Sequence, residues 1–182
     1  NAIFDRSHQI MPNGEGIPGE PTRNQSVAIV PIPGNPDQYY VILNGPNVRI
    51  VIVDMSLPGN PPPEVIRGDA IRNQTITPGP IVSASDAMIV IQSPDDPERY
   101  FLVVQSNNHF RVYEIGDNNQ FNLVSEIPKP AGFVSSSFTF HPSGKIAVAP
   151  RNANQNVILL DFDGTTGEIS FDRAIPNSGN DD

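Results

Sequence analysis

The chain has 182 residues, of which 37% are hydrophobic and 17% are charged, and its formal net charge is −9. This length can bury a core as one domain, and the composition is too apolar for a disordered chain. The negative charge disfavours nucleic acid and anionic membranes as partners, and the lack of cysteine excludes disulfides and zinc–cysteine sites. No apolar run approaches the roughly 18–20 residues that span a bilayer, so we expect no membrane insertion.

Three segments share one layout of short apolar strands joined by turns rich in Pro, Gly, Asn and Asp. In the first unit the predicted strands are 26–31, 39–43 and 48–55, followed by a proline-rich connection over 58–79. In the second unit they are 87–91, 100–104, 110–115 and 121–124. In the third unit they are 137–140, 145–149, 157–162 and 168–171. This layout is typical of antiparallel hairpins.

The repeat predicts the fold. Acidic residues near the end of the third strand correspond between units, and Glu114 and Asp161 are 47 residues apart, within the roughly 40–50 residues of a propeller blade. Asp54 lies 60 residues before Glu114 because the connection 58–79 is long. Strands such as 50–53 and 102–104 are apolar at nearly every position, which predicts burial on both faces. An all-β sandwich would tolerate these strands, but it would not require the repeated layout.

We therefore predict an all-β, β-propeller-like fold of about three four-stranded blades plus an N-terminal strand pair. It forms a single domain over 1–182, with blades over roughly 26–66, 79–127 and 135–175. Three blades fall short of the usual minimum of about four, so we expect a part of a larger ring or another chain over the open ends. The chain begins at Asn1, so we also expect a processed or excised piece whose targeting segment has been removed.

Two stretches carry a family resemblance. The first runs Phe4-Asp5-Arg6-Ser7-His8-Gln9-Ile10-Met11-Pro12-Asn13-Gly14 and continues to Val53-Asp54-Met55. It resembles the propeller-like region of large Bacteroidota surface proteins, which often end in a gliding-motility-associated C-terminal domain. The second, from His141-Pro142-Ser143-Gly144-Lys145 to Thr166-Gly167-Glu168, looks like blades of that family and is also similar to lactonase-type seven-bladed propellers. The resemblance implies export by the type IX secretion route and an extracellular or cell-surface location, more than an activity.

The segment 161–168 has carboxylates at alternating positions, with Asp172 further on, as a calcium loop would. An EF-hand-type loop needs glycine at position 6, but counting from Asp161 places Thr166 there. The pattern therefore favours a hairpin turn in which Asp-Gly and Thr-Gly supply the backbone angles. The acidic turns 95–98 and 117–119 are likewise interpreted as solvated hairpin tips.

The remaining polar and aromatic candidates point to no site. The three histidines, His8, His109 and His141, lie at strand–turn borders in no metal-ligand spacing, and no Gly-x-Ser-x-Gly elbow is present. The tripeptides 24–26 and 73–75 fit the N-glycosylation pattern, which is coincidental in a bacterial protein and a real candidate in a eukaryotic one. Six aromatic residues in the predicted strands are compatible with a sugar-stacking platform, but their alternation favours core packing: Tyr39, Tyr40, Tyr100, Phe101, Phe110 and Tyr113.

No catalytic, cofactor-binding or metal-ligating residue is thus assigned, and no cofactor is expected. We predict a non-enzymatic extracellular module for binding, adhesion or assembly on a bacterial surface, with a protein or a surface polysaccharide as partner and no nucleic acid. The first alternative is a lactonase-like propeller hydrolase, which the third unit supports. The second is a subunit of an extracellular polymer or filament, because open repeat ends and the apolar strand 48–53 invite strand addition.

Overall fold

The computed structural model describes residues 2–5, 8–17, 20, 22–57, 69–74, 76, 79–83 and 86–176. Every regular element among these residues is a β-strand, and the strands form one hairpin and three four-stranded antiparallel sheets. The prediction of an all-β, propeller-like fold is confirmed. That the sheets make up a single domain over 1–182, and that it belongs to a larger ring, stays a prediction.

The strands follow the chain in simple order. The N-terminal hairpin contains β1 (Ala2–Phe4) and β2 (Ile10–Glu15). The first sheet contains β3 (Val27–Ile32), β4 (Asn35–Leu43), β5 (Arg49–Asp54) and β6 (Asp69–Gln74). The second sheet contains β7 (Met88–Gln92), β8 (Tyr100–Gln105), β9 (His109–Ile115) and β10 (Phe121–Pro128). The third sheet contains β11 (Ser135–His141), β12 (Lys145–Pro150), β13 (Val157–Phe162) and β14 (Ile169–Ile175).

The three sheets meet along their first strands. Each sheet is a meander in which consecutive strands pair. The connections within the sheets are short enough to close hairpins, apart from 55–68 between β5 and β6. β3 packs beside β7 and β7 packs beside β11, so these strands lie nearest to a common line. The sheets extend away from that line like blades around an axis, which is the arrangement of a propeller.

Apolar side chains fill the spaces between neighbouring sheets. One buried cluster joins the first and second sheets and includes Ile42, Ile50 and Leu102. A second cluster joins the second and third sheets and includes Phe138 and Leu160. A third cluster lies between the first sheet and the N-terminal hairpin. Burial of each such side chain contributes about 1.5–3 kcal/mol, so stacking of the sheets stabilises the fold.

The sequence of β8 is apolar at nearly every position because both faces of this strand are covered by other sheets. Leu102 and Val104 face the first sheet, whereas Phe101 and Val103 face the third. All four are fully buried. Because side chains alternate between the two faces of a strand, a strand with sheets on both sides buries successive side chains and is therefore mostly apolar.

The first sheet differs from the prediction in two places. β4 begins at Asn35, before the predicted strand 39–43, because 33–34 alone close the hairpin. β6 lies inside the predicted connection 58–79, of which 58–68, with the run of prolines 61–63, lie outside the described residues. The sequence of β6, Asp-Ala-Ile-Arg-Asn-Gln, has too little apolar alternation to predict a strand, and its pairing with β5 decides its conformation.

The prediction that the strand 48–53 has a free edge for strand addition between chains is wrong. β5 pairs with β4 along one edge and with β6 along the other. Its backbone groups are therefore used within the first sheet, and the apolar sequence reflects burial between layers.

An apolar surface remains on the first sheet beside the N-terminal hairpin. Val27 and Ile29 are 51% and 67% exposed, and they line a groove of about 430 Å³ together with Phe4. The hairpin therefore covers this sheet only in part.

Candidate functional site

The first strands of the three sheets all begin at one end of the molecule, which we call the entry end. Val27 pairs with Leu43 at this end of the first sheet, and the loops 44–48, 106–108 and 151–156 follow the second strands there. Segments that precede β3, β7 and β11 therefore meet these loops near the axis. Six polar residues gathered at this point form what we call the axial cluster: Arg23, Asn24, Gln25, Asn44, Asp86 and Arg151.

Gln25 connects all three sheets. Its backbone N–H donates to the carbonyl oxygen of Asp86 at 3.0 Å, directly before the second sheet. Its side-chain Nε2 donates to the carbonyl oxygen of Phe138 at 2.9 Å, and its Oε1 accepts from the N–H of Phe138 at 2.8 Å. The amide thus occupies the inner edge of β11 as a neighbouring strand would, and it satisfies backbone groups that face the axis.

Three neighbours extend this network. Asn24 Nδ2 donates to the carbonyl oxygen of Ser136 at 3.3 Å, two residues before Phe138 on the same edge of β11. Buried Asn44 donates from Nδ2 to the carbonyl oxygen of Gln25 at 3.2 Å, and its Oδ1 accepts from Arg23 Nη1 at 3.4 Å. The segment before β3 is therefore held at the axis from both sides.

Asp86 and Arg151 form the ion pair of the axial cluster. Arg151 Nε lies 3.3 Å from Asp86 Oδ2, and the side chains of Arg151 and Asp86 are 67% and 18% exposed, respectively. The backbone N–H of Arg151 donates to the carbonyl oxygen of Val134 at 2.7 Å, which fixes the start of the 151–156 loop. A carboxylate and a guanidinium thus lie together at the entry end, where solvent reaches them.

Gln105 supports the third sheet beneath this pair. Its Oε1 accepts from the N–H of Ser135 at 2.7 Å, and its Nε2 donates to the carbonyl oxygen of Phe133 at 3.2 Å. Gln105 is 1% exposed, so its amide replaces water for two buried backbone groups. It positions the start of β11 and with it the binding edge for Gln25.

The arrangement suits hydrolytic chemistry at a carbonyl group. A carboxylate can accept a proton from water, and a guanidinium can donate hydrogen bonds to an oxygen that gains negative charge. Arg151 contacts Asp86 through Nε, and guanidinium has further N–H donors for a ligand. Within the described part of the chain, no group of three or more His, Cys, Asp or Glu residues is placed to hold a metal ion.

The segment 161–168 forms the hairpin between β13 and β14. Asp163 Oδ1 accepts from the N–H groups of Thr165 at 2.8 Å and Thr166 at 3.1 Å, and these bonds hold the pKa of Asp163 below its ordinary value. Asp161 and Asp172 both bind Lys145 Nζ, at 2.6 and 2.9 Å. The carboxylates are thus used in a turn and in ion pairs, as the hairpin interpretation predicts.

The two acidic turns lie at the opposite end of the sheets and contact neighbouring sheets. Asp95 accepts from the hydroxyl of Thr165 in the third sheet's last hairpin. Asn118 and Asn119 adopt left-handed backbone angles, and the N–H of Asn119 donates to the hydroxyl of Tyr40 in the first sheet at 2.8 Å. These turns are exposed tips, as predicted, and they also join the sheets.

The histidines lie in three separate places. His8 has a positive φ in the β1–β2 turn, and His109 begins β9 with Nε2 3.7 Å from Glu126 Oε1. His141 Nδ1 lies 2.8 Å from Ser143 Oγ and accepts from the Ser143 N–H at 3.1 Å, so it closes the β11–β12 turn. None of the three belongs to the axial cluster.

The other sequence candidates have structural roles. Asn24 of the first glycosylation tripeptide already donates to Ser136, and the second tripeptide, 73–75, lies outside the described residues in part. Four of the six aromatic candidates are buried in the two main clusters: Tyr40, Phe101, Phe110 and Tyr113. Tyr39 and Tyr100 are half-buried and pack against clusters, so core packing is confirmed as the role of all six.

Sequence reasoning did not find the axial cluster. Its members come from loops of three different sheets, and none lies in a catalytic or metal-binding motif. The one available signal was position, because residues directly before the first strand of each blade meet at a propeller axis. That signal would have pointed to Gln25 and Asp86.

Comparisons with known proteins show the fold. No protein-family model matches the chain, and no curated protein matches its sequence. The structure is similar to that of a periplasmic gluconolactonase from Pseudomonas aeruginosa, with a TM-score of 0.53 and 13% identity over 85% of this chain. The chain spans only 41% of that protein's length. A putative exo-β-1,3-galactanase from Bifidobacterium bifidum s17 has a TM-score of 0.44, with 12% identity over 93% of this chain and 55% of that one.

The prediction that the protein is not an enzyme is wrong. It rested on the missing catalytic motifs, yet the gluconolactonase that shares this fold is itself an enzyme. The physical reason for the error is that a site at the end of a propeller is assembled from loops far apart in sequence, so no single motif marks it.

Within the described residues, no helix has the length and apolarity that a bilayer crossing needs.

Proposed function

We propose that the chain belongs to a lactonase-like propeller hydrolase and that its substrate binds at the entry end. The observation that carries the proposal is the Asp86–Arg151 pair, which loops of the second and third sheets bring together beside the axis. The shared fold with a gluconolactonase supports the reaction class. The uncharged amides of Gln25 and Asn44 lie next to the pair and are positioned by hydrogen bonds.

The chemistry is the addition of water to a cyclic ester. Asp86 accepts a proton from a water molecule while the oxygen of that water attacks the carbonyl carbon. Arg151 donates hydrogen bonds to the carbonyl oxygen, which becomes negatively charged during the attack. When the tetrahedral intermediate collapses, the ring C–O bond breaks and the leaving oxygen takes the proton. The product is a hydroxy acid, which the acidic surface of the protein repels.

An exported location forms part of the proposal. The gluconolactonase with the same fold is described as periplasmic, which supports a site of action outside the cytoplasm. The resemblance to Bacteroidota surface proteins, the type IX route and a protein or polysaccharide partner stay predictions.

The test is hydrolysis of D-glucono-δ-lactone by the purified protein. A pH-stat measures the acid that is released, and the rate of spontaneous hydrolysis is subtracted. Asp86→Asn should lower kcat/KM by about 100-fold or more, because general base catalysis contributes roughly 10²–10⁴-fold. Arg151→Gln should lower it by a similar factor, because it removes an oxyanion donor.

Asp117→Asn is the matched control, since Asp117 is an exposed carboxylate at the opposite end of the sheets. It removes the same charge and should leave the rate unchanged. Wild-type protein that does not exceed the spontaneous rate would overturn the reaction class. Full activity in Asp86→Asn would overturn the assignment of the site.

A further inference from the structure

A second cleft lies against the third sheet, away from the axial cluster. It has a volume of about 370 Å³, within the range of roughly 300–1,000 Å³ for small-molecule sites. Its lining joins the 151–156 loop, the 129–134 connection and the outer strand β14. No residue of the axial cluster lines it.

Three consecutive amide side chains form one wall of the cleft: Asn154, Gln155 and Asn156. Asn152 orders this loop, because its Oδ1 accepts from the N–H of Asn154 at 3.0 Å and its carbonyl oxygen accepts from the N–H of Gln155 at 3.0 Å. Gln155 Nε2 also donates to the carbonyl oxygen of Gly132 at 3.3 Å. The loop backbone and the Gln155 amide are therefore held in place before a ligand arrives, which lowers the entropic cost of binding.

Apolar residues form the rest of the cleft. Phe133 and Ile158 are 2% and 3% exposed and belong to the buried core, whereas Phe171 on β14 is 55% exposed. Phe171 is a large aromatic residue that leaves about half of its surface open to solvent. A ring so exposed at the edge of an amide-lined cleft offers a flat face to a ligand.

The lining contains no charged residue. Each side-chain amide has both a donor and an acceptor, which matches a hydroxyl group that donates and accepts. A ligand rich in hydroxyl groups, uncharged and with an apolar face fits this combination. We propose that the cleft is a binding subsite for a neutral saccharide, in which one sugar ring stacks on Phe171 and its hydroxyl groups bind Asn154 and Asn156.

This inference goes beyond the proposed hydrolase and does not rest on it, because sugar binding at this cleft requires neither Asp86 nor Arg151. A protein without lactonase activity could bind saccharide here, and an active lactonase could lack the subsite. Direct binding and hydrolysis therefore report on the two proposals separately.

The test is saturation-transfer NMR and calorimetric titration of the purified protein with cellobiose, maltose and lactose, and with galacturonic acid as an anionic sugar. At least one neutral disaccharide should show saturation transfer, and galacturonic acid should bind more weakly because the net charge is −9. Phe171→Ala should weaken binding of that disaccharide by about tenfold, equivalent to loss of one aromatic contact. Asn156→Ala should weaken it by about threefold or more, through loss of a hydrogen bond.

Leu123→Ala is the matched control for Phe171→Ala, because Leu123 is 51% exposed on the outer strand of the second sheet and does not line the cleft. It should leave the affinity unchanged. Circular dichroism checks that each variant is folded. If Phe171→Ala does not fold, the affinity of Asn156→Ala decides the outcome. The proposal is overturned if no neutral disaccharide binds, or if binding is the same in the cleft variants and in Leu123→Ala.

Discussion

At the scale of single residues, one contact recurs in all three sheets. A carboxylate near the end of the third strand accepts a hydrogen bond from a side chain near the start of the second strand. The pairs are Gln38–Asp54 at 2.8 Å, Arg99–Glu114 at 2.6 Å and Lys145–Asp161 at 2.6 Å. The three acids are the ones whose spacing predicted the repeat. The donors differ in type, so the sequence showed only the acidic member of each pair as a repeated position.

The first prediction concerns Asp54 and acid. The hydroxyl of Ser56 and the amide of Gln38 hold the pKa of Asp54 below its ordinary value. Its ionised form therefore stabilises the fold fully above about pH 4, and this stabilisation is lost as the pH falls through the lowered pKa. Asp54→Asn should be less stable than the wild type at pH 7 and should lose less stability between pH 5 and pH 2.5. Urea unfolding at a series of pH values measures this. Equal acid dependence of Asp54→Asn and wild type would contradict it.

The second prediction concerns Gly167 in the hairpin that joins β13 and β14. Gly167 has a φ of +79°, and a Cβ there would lie 2.5 Å from a ring carbon of Phe101 in the second sheet. Gly167→Ala should therefore destabilise the fold by about 2–4 kcal/mol, through backbone strain and overpacking.

The control is Gly79→Ala, because a Cβ at Gly79 would meet nothing within 4 Å. Denaturant unfolding of both variants measures the difference. The close packing of this hairpin on the second sheet is refuted if the two variants are equally stable.

At the scale of elements, the inner edge of β11 decides how the axis is built. An inner strand pairs on one side only, and its other edge presents backbone groups towards the axis. Asn24 and Gln25 occupy this edge at Ser136 and Phe138. The segment before the first sheet is thereby attached to the third sheet by side-chain hydrogen bonds to the backbone of β11 and not by strand pairing.

The third prediction follows from this contact. Gln25→Ala leaves the N–H and carbonyl oxygen of Phe138 without their partner, which should cost about 1–3 kcal/mol. Gln25→Glu should have an intermediate effect, because a carboxylate can accept from the N–H but cannot donate to the carbonyl oxygen. Amide hydrogen exchange at Phe138 should become faster in Gln25→Ala, and by a larger factor than exchange at Val148.

Gln92→Ala is the control, since Gln92 is exposed and bonds only within its own hairpin, to Pro97 and Tyr100. It should leave exchange at Phe138 unchanged. Unaltered exchange in Gln25→Ala as well would show that the amide does not hold this edge.

At the scale of the whole molecule, the second sheet holds the structure together. It has a buried cluster on each face, one shared with the first sheet and the other with the third. The first sheet also has a cluster on each face, but its face towards the N-terminal hairpin keeps exposed apolar side chains. Stability should therefore be greatest around the second sheet.

The fourth prediction compares two aliphatic residues. Leu102 is fully buried between the first and second sheets, so Leu102→Ala should cost about 2–5 kcal/mol. Ile29 is 67% exposed, so Ile29→Ala should change stability by less than about 0.5 kcal/mol. Chemical denaturation measures both, and similar losses in the two variants would contradict the layered arrangement.

The sequence could predict most strands, because turn residues and apolar runs are local signals. It predicted β8 at 100–104 almost to the residue, since a strand buried on both faces has a distinctive composition. It missed β6, whose polar sequence is decided by pairing with β5. It also missed the candidate site, because Asp86 and Arg151 are 65 residues apart in the chain and meet only when the second and third sheets stack.

The sequence by itself determined the class of fold, the repeat and the acidic, cysteine-free surface. These follow from side-chain alternation, turn chemistry and charge, which act over a few residues or over the whole composition. Only the tertiary structure decided that Gln25 lies on the edge of β11, that Asp86 faces Arg151 and that Phe171 borders an amide-lined cleft. Such contacts depend on how whole sheets stack around an axis, and no local pattern in the chain encodes that geometry.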